Sequence, residues 1–197
     1  MSTSRTGDDF RVGSAEIETD ELTGTLTRLA FIARLRARLR AAANVGTPFG
    51  ICIVDLDHLK RINLSHGLTR GDAALRGVAG QLVRTSHADF GESSLTVGRY
   101  DGGAFAAIVE VESLAKLLRA AEAMRFAVAA AGTGDIRLSA SVGVALARCG
   151  ESVDDVLLRA EQALFLAKQF GRDRLEISPS PTPPRGPGRV VPLRRRA

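Results

Sequence analysis

Apolar positions recur along this chain at two spacings, and the switches between them predict its elements. A helix opens near Leu26, with Leu26, Ala30, Leu35, Leu39 and Ala42 roughly on one face and arginines between them. Asn44, Gly46 and Pro48 predict its end. The uninterrupted run Phe49–Val54 (FGICIV) predicts a buried strand feeding straight into Asp55-Leu56-Asp57. A short helix over Leu59–Leu64 follows, broken by Ser65-His66-Gly67, and a longer helix spans about Gly71–Thr85 with Leu75, Val78, Ala79, Leu82 and Val83 inward. Leu95–Tyr100 and Ala104–Val111 read as two strands joined through Asp101-Gly102-Gly103, an Asp-Gly hairpin signal with both central residues at positive φ. Ser113 caps a helix running to about Ala130. Ile136–Ala147 alternates as a strand, and Ser152 with Asp155 opens a helix that runs to Phe170 and stops at Gly171. Arg174–Ile177 is a last short strand.

This order predicts an α/β (α+β) sandwich: a mixed, largely antiparallel sheet of about five strands flanked by helices. Residues 1–19 are polar and read as a flexible lead, residues 20–177 as the domain. From Ser178 the chain is rich in Pro, Gly and Arg, a composition unable to bury a core, so residues 178–197 read as a disordered basic tail.

Composition changes this picture in one respect. The formal charge is +5, yet Arg185, Arg189, Arg194, Arg195 and Arg196 account for all of it, and before Ser178 basic and acidic residues balance at 22 each. A basic nucleic-acid face on the folded part is therefore not expected, and the tail alone offers a cationic surface to acidic partners, nucleic acid or anionic lipid. Cys52 and Cys149 lack CxxC spacing and read as core thiols of a reducing compartment. His58, His66 and His87 lack metal-ligand spacing and read as exposed. No apolar run reaches the ~20 residues of a membrane helix, and the N-terminus carries no signal-type apolar stretch, so a cytoplasmic location is expected.

Six segments, in order, carry a resemblance. They are Asp20-Glu-Leu-Thr-Gly24 with Arg28 and Phe31, then Asp55-Leu-Asp-His-Leu-Lys60, then Ile62-Asn63 with Gly67 and Gly71-Asp72. Arg99-Tyr-Asp-Gly-Gly-Ala-Phe105, Ser141-Val-Gly-Val-Ala145, and Ala160 to Lys168 followed by Gly171-Arg172 complete the set. Together they resemble the GGDEF family of diguanylate cyclases over about Asp20–Ile177. The resemblance implies a fold similar to nucleotide cyclase and polymerase palm domains. It also implies a reaction in which two GTP molecules, one on each half of a dimer, condense to cyclic di-GMP with magnesium on the phosphates.

Carried over by position, the resemblance implies metal binding at Asp55, with Asp57 the more structural acid of the pair. It implies guanine contacts at Asn63 and Asp72, and phosphate contacts at Lys60, Lys168 and Arg172. Read without it, these residues are a strand-end carboxylate, helix-end polar groups and cations near helix termini.

The signature loop departs from the family. At Asp101-Gly102-Gly103-Ala104-Phe105, Gly103 stands where the family has a metal-binding acid and Ala104 where it has Glu. Magnesium is then expected to be weakly held, and losing a carboxylate ligand costs on the order of a thousandfold in rate. Leu64 stands in place of Asp, Leu68 of His and Asp173 of Asn, and the product-inhibition motif RxxD would run from Glu92 to Leu95, where neither residue fits. The expected function is a catalytically inactive regulator that binds GTP, a related nucleotide or a protein partner, with homodimer formation open. A weakly active diguanylate cyclase and a pure interaction module are the alternatives.

Overall fold

The computed structural model describes residues 18–45, 48–90, 95–132 and 135–178. Its elements run α1 (Arg28–Val45), β1 (Phe49–Leu56), α2 (Leu59–His66), α3 (Leu68–Phe90), β2 (Leu95–Asp101), β3 (Ala104–Glu110), α4 (Leu114–Ala130), β4 (Ala140–Leu146), α5 (Val153–Gln169) and β5 (Leu175–Ile177). The expected five-stranded mixed sheet is present, in the order β2-β3-β1-β4-β5. β1 lies at its centre, antiparallel to both β3 and β4, and β5 runs parallel to β4 at one edge.

The apolar runs explain the layering. β1, β3 and β4 are buried along nearly their whole length, as strands covered on both faces must be. Alternation along β1 turns Cys52, Val54 and Leu56 toward Leu75, Val78 and Leu82 of α3 and Leu117 and Met124 of α4. Phe49, Ile51 and Ile53 face Phe31 and Leu35 of α1 and Val156, Ala160 and Leu164 of α5. The same parity puts Asp55 on the α1–α5 face. Both Ser caps form: Ser113 Oγ accepts from Lys116 N–H, and Ser152 Oγ accepts from Asp155 N–H at 3.1 Å.

Several boundaries move for identifiable reasons. Leu26 is extended, bridging Thr19 and Gly98, and Thr27 starts α1 by accepting from Ala30 N–H. The sheet edge therefore takes in Thr19. Gly67 alone, at φ 84°, separates α2 from α3, so Leu68–Arg70 join the second helix instead of a loop. β4 starts at Ala140 rather than Ile136, because its ladder with β1 ends where Ala140 pairs with Leu56, the last residue of β1. Val83 is 37% exposed, one position off the inward stripe, and Cys149 is exposed in the turn before α5 while Cys52 is buried. The hairpin turn centres on Gly102 and Gly103, with Asp101 paired to Ala104, and only Gly102 takes positive φ.

His58 and His66 are exposed as expected. No helix among the described residues is long and apolar enough to cross a membrane. The N-terminal segment to residue 17, the tail from residue 179, Gly46, Glu92 and the His87 side chain lie outside the described residues.

Candidate nucleotide site

The C-terminal end of β1 opens into a cleft of about 450 Å³ lined by Asp55, Asp57, Lys60, Asn63, Lys168 and Arg172 together with His58, Leu59 and Gly103. The two acids have different surroundings. Asp57, 5% exposed, accepts from Ser141 Oγ at 2.7 Å on one carboxylate oxygen, and from Ser139 Oγ at 2.8 Å and Asp173 N–H at 3.0 Å on the other. It clasps the end of β1 to the start of β4 and to the turn after α5. Asp55 has no such clasp. It is a quarter exposed, and its Oδ1 lies 2.9 Å from Nζ of Lys168 in the last turn of α5.

The signature hairpin sits directly across. Asp55 and Ala104 are register partners, so their side chains share a face of the sheet about 5 Å apart. An acid at position 104 would have stood beside Asp55; Ala104 instead packs into the α1–α5 core. At Gly103 the space is filled as well: a Cβ there would lie 2.7 Å from Leu59 Cδ2. Asp101 is exposed and does not line the cleft. The turn is held from behind by Arg99, whose guanidinium donates to Gly102 O and pairs with Asp20 at 3.1 Å. Burial acts to raise the Asp20 carboxyl, but hydrogen bonds from Thr23 and Arg99 outweigh it and hold the group below its ordinary value.

Past α5, Gly171, Arg172 and Asp173 all take positive φ, at 114°, 64° and 44°. Two consecutive non-glycine residues there are strained unless their surroundings hold them. The Asp57 bond to Asp173 N–H, the Arg172 N–H bond to Ala167 O and the Arg125–Asp173 ion pair hold them. The turn leaves the Arg172 side chain exposed on the cleft wall.

Asn63, on α2, lies against the first turns of α3. A Cβ on Gly71 would sit 1.7 Å from Asn63 Oδ1, so only glycine admits this packing. That Oδ1 is buried and makes no hydrogen bond. A buried amide without a partner costs about 1–3 kcal/mol and is a place where a ligand donor would be welcome. Asp72 is half-buried one residue past Gly71 and does not line the cleft. Five of the six predicted metal and nucleotide positions thus meet in one place. Sequence reasoning missed three contributors: Leu59 as the filler beside Gly103, the two serines on Asp57, and Lys168 as the partner of Asp55. Ser141 was visible as a motif residue, but its contact with Asp57 needed the β1–β4 register.

The profile described as diguanylate cyclase, GGDEF domain, matches residues 17–174. The chain belongs to the GGDEF diguanylate cyclase domain family. Diguanylate cyclase DgcP of Pseudomonas aeruginosa is 34% identical over 81% of this chain and 24% of its own length. Diguanylate cyclase DosC of Escherichia coli is 33% identical over 84% and 36%, and response regulator PleD of Caulobacter vibrioides is 32% identical over 79% and 35%. The chain therefore spans about a quarter to a third of the length of these curated relatives. Among solved structures, the GGDEF domain of Caulobacter crescentus DgcB in complex with c-di-GMP superposes with a TM-score of 0.76. It is 28% identical, over 84% of this chain and 98% of that one. Diguanylate cyclase SiaD of Pseudomonas aeruginosa, in complex with its activator SiaC, superposes at 0.74 with 28% identity, over 81% and 61%.

Magnesium is the metal this family implies, and the residues of this GGDEF domain do not fit it. A hard dication needs several oxygen ligands. Asp55 Oδ1 is engaged by an ammonium, Asp57 by three donors, and positions 103 and 104 offer no oxygen on a side chain. Among the described residues no group of three His, Cys, Asp or Glu could hold a metal ion.

Proposed function

We propose that this GGDEF domain serves cyclic di-GMP-type signalling as a regulator that holds a guanine nucleotide without turning it over efficiently. One observation carries the reading: the carboxylate of Asp55 faces Lys168 at 2.9 Å, beside Gly103 and opposite Ala104, where a phosphoryl-transfer site needs carboxylates on a metal. Binding has separate support. Asn63 presents a buried, unpartnered amide oxygen that can accept from a guanine N–H, while Lys60, Lys168 and Arg172 line the same cleft. A regulator also acts through a partner, and the similar diguanylate cyclase SiaD forms a complex with its activator SiaC.

The test is direct. Purified chain is incubated with GTP and magnesium or manganese, the products are chromatographed, and GTP is titrated calorimetrically beside Asn63→Ala. The expected result is GTP binding that Asn63→Ala weakens at least tenfold, for a lost buried contact of about 1.4 kcal/mol, with no cyclic di-GMP above background. Robust cyclic di-GMP formation would replace this reading with that of a diguanylate cyclase, and absence of GTP binding would leave an interaction module.

A further inference from the structure

We infer that Lys168 stands in for the missing cation, so that the cleft takes its guanine nucleotide free of divalent metal. The inference rests on the nucleotide reading above and names the form of the ligand.

The cleft's charge supports it first. A nucleotide site that uses magnesium holds it on one or two carboxylates as well as on the phosphates. Here Lys60, Lys168 and Arg172 line the cleft against Asp55 and Asp57. Asp57 is spent, since each of its oxygens already accepts from protein donors. One free carboxylate then faces three cations.

The position of Lys168 supports it next. The α5 last turn aims its ammonium at Asp55 Oδ1 from the face that Asp55 shares with Ala104. Leu59 closes the neighbouring corner at Gly103. An ammonium supplies one positive charge and three donors without demanding six oxygens around it. An incoming phosphate competes with Asp55 for that ammonium, so the Lys168–Asp55 pair works as an internal brake on binding. Lys60 and Arg172 make no ion pair among the described residues and are available to the remaining phosphate oxygens.

Two readings of Asp55 predict opposite signs. Were it a metal ligand, Asp55→Asn would weaken GTP binding. As the brake on Lys168, its neutralisation releases the lysine and tightens binding. The pair is a quarter to a third exposed, in the range where ion pairs are modest, which sets the gain at about fivefold. Lys168→Met is expected to weaken binding tenfold or more.

The experiment titrates GTP into the whole chain by calorimetry in excess magnesium chloride and again in EDTA. The unmodified chain, Asp55→Asn and Lys168→Met are compared. Manganese(II) alone is titrated separately and followed by its electron spin resonance. The inference expects equal or tighter binding in EDTA, tighter binding by Asp55→Asn, and a free-ion manganese signal that the protein leaves undiminished. Magnesium that tightens GTP binding tenfold or more, with Asp55→Asn abolishing that gain, would overturn it and leave the nucleotide reading standing. No binding in either buffer would remove both together. The two-buffer comparison uses the unmodified chain, so the answer does not hang on either variant folding.

Discussion

Asp57→Ala should destabilise the domain by about 3 kcal/mol while leaving the cleft's cations in place, and the figure follows from the three donors that the carboxylate satisfies. Ser141 Oγ is fully buried, so its hydroxyl is orphaned at roughly 1–3 kcal/mol. Ser139 Oγ and Asp173 N–H lie nearer solvent and can turn to water, at about 0.5–1 kcal/mol each. The sum is near 3 kcal/mol, or on the order of 6–12 °C in Tm for a domain of this size. Urea unfolding followed by circular dichroism measures it, with the slope m held as the check that the same surface is exposed. The origin of the loss is tested by a cycle: in a Ser141→Ala background the orphan is already gone, so Asp57→Ala should cost about 1–2 kcal/mol less. Asp57→Ala within about 0.5 kcal/mol of the parent, or strict additivity with Ser141→Ala, would refute the argument that this acid is a structural clasp.

Gly143→Ala should prevent folding or cost well over 3 kcal/mol, because the new Cβ would lie 2.1 Å from Ala160 O and 2.4 Å from Leu164 N, both backbone atoms of α5; soluble yield and Tm report it. A thiol reagent should titrate one cysteine in the native chain and two in denaturant, since Cys149 is exposed and burial pushes the Cys52 thiol from 9.0 up to about 12. Tyr100 is the chain's only tyrosine, so its phenolate absorbance reads one group; burial, then its hydrogen bond to Glu161, pushes it from 10.0 up to about 12. The folded state thus favours the neutral phenol while the unfolded chain ionises near pH 10, so stability should fall as pH rises from about 10 toward 12, and a native titration midpoint near 10 would refute this.

Much of the fold was legible because the elements are long and periodic. The run Phe49–Val54 had to be a strand buried on two faces, and it became the sheet's centre. Ser113 and Ser152 announced their helices through the bonds they make to Lys116 and Asp155 N–H. The boundaries that moved were those set by partners rather than by local preference. Ile136 and Leu138 alternate and are buried, yet the ladder between β1 and β4 reaches back only to Ala140, opposite Leu56 at the end of β1. Leu26 looked helical by spacing and was drawn into extended bridges with Thr19 and Gly98.

The site divides along the same line. That Gly103 and Ala104 lack carboxylates needs only the sequence. What surrounds those two positions needs the register: Ala104 opposite Asp55, Leu59 against Gly103, and Lys168 returning from more than a hundred residues away. These contacts bear on whether the loss is local. A loop that had merely lost two acids would leave a vacant corner beside Asp55, and the fold would carry an unpaired carboxylate on a half-buried face. Instead a leucine fills the corner and an ammonium neutralises the carboxylate. Restoring acids at 103 and 104 would therefore set a new side chain against Leu59 and place carboxylates beside a lysine already bound to Asp55. The contacts around the signature loop are mutually consistent as they stand, with Leu59 packed beside Gly103 and Lys168 paired to Asp55.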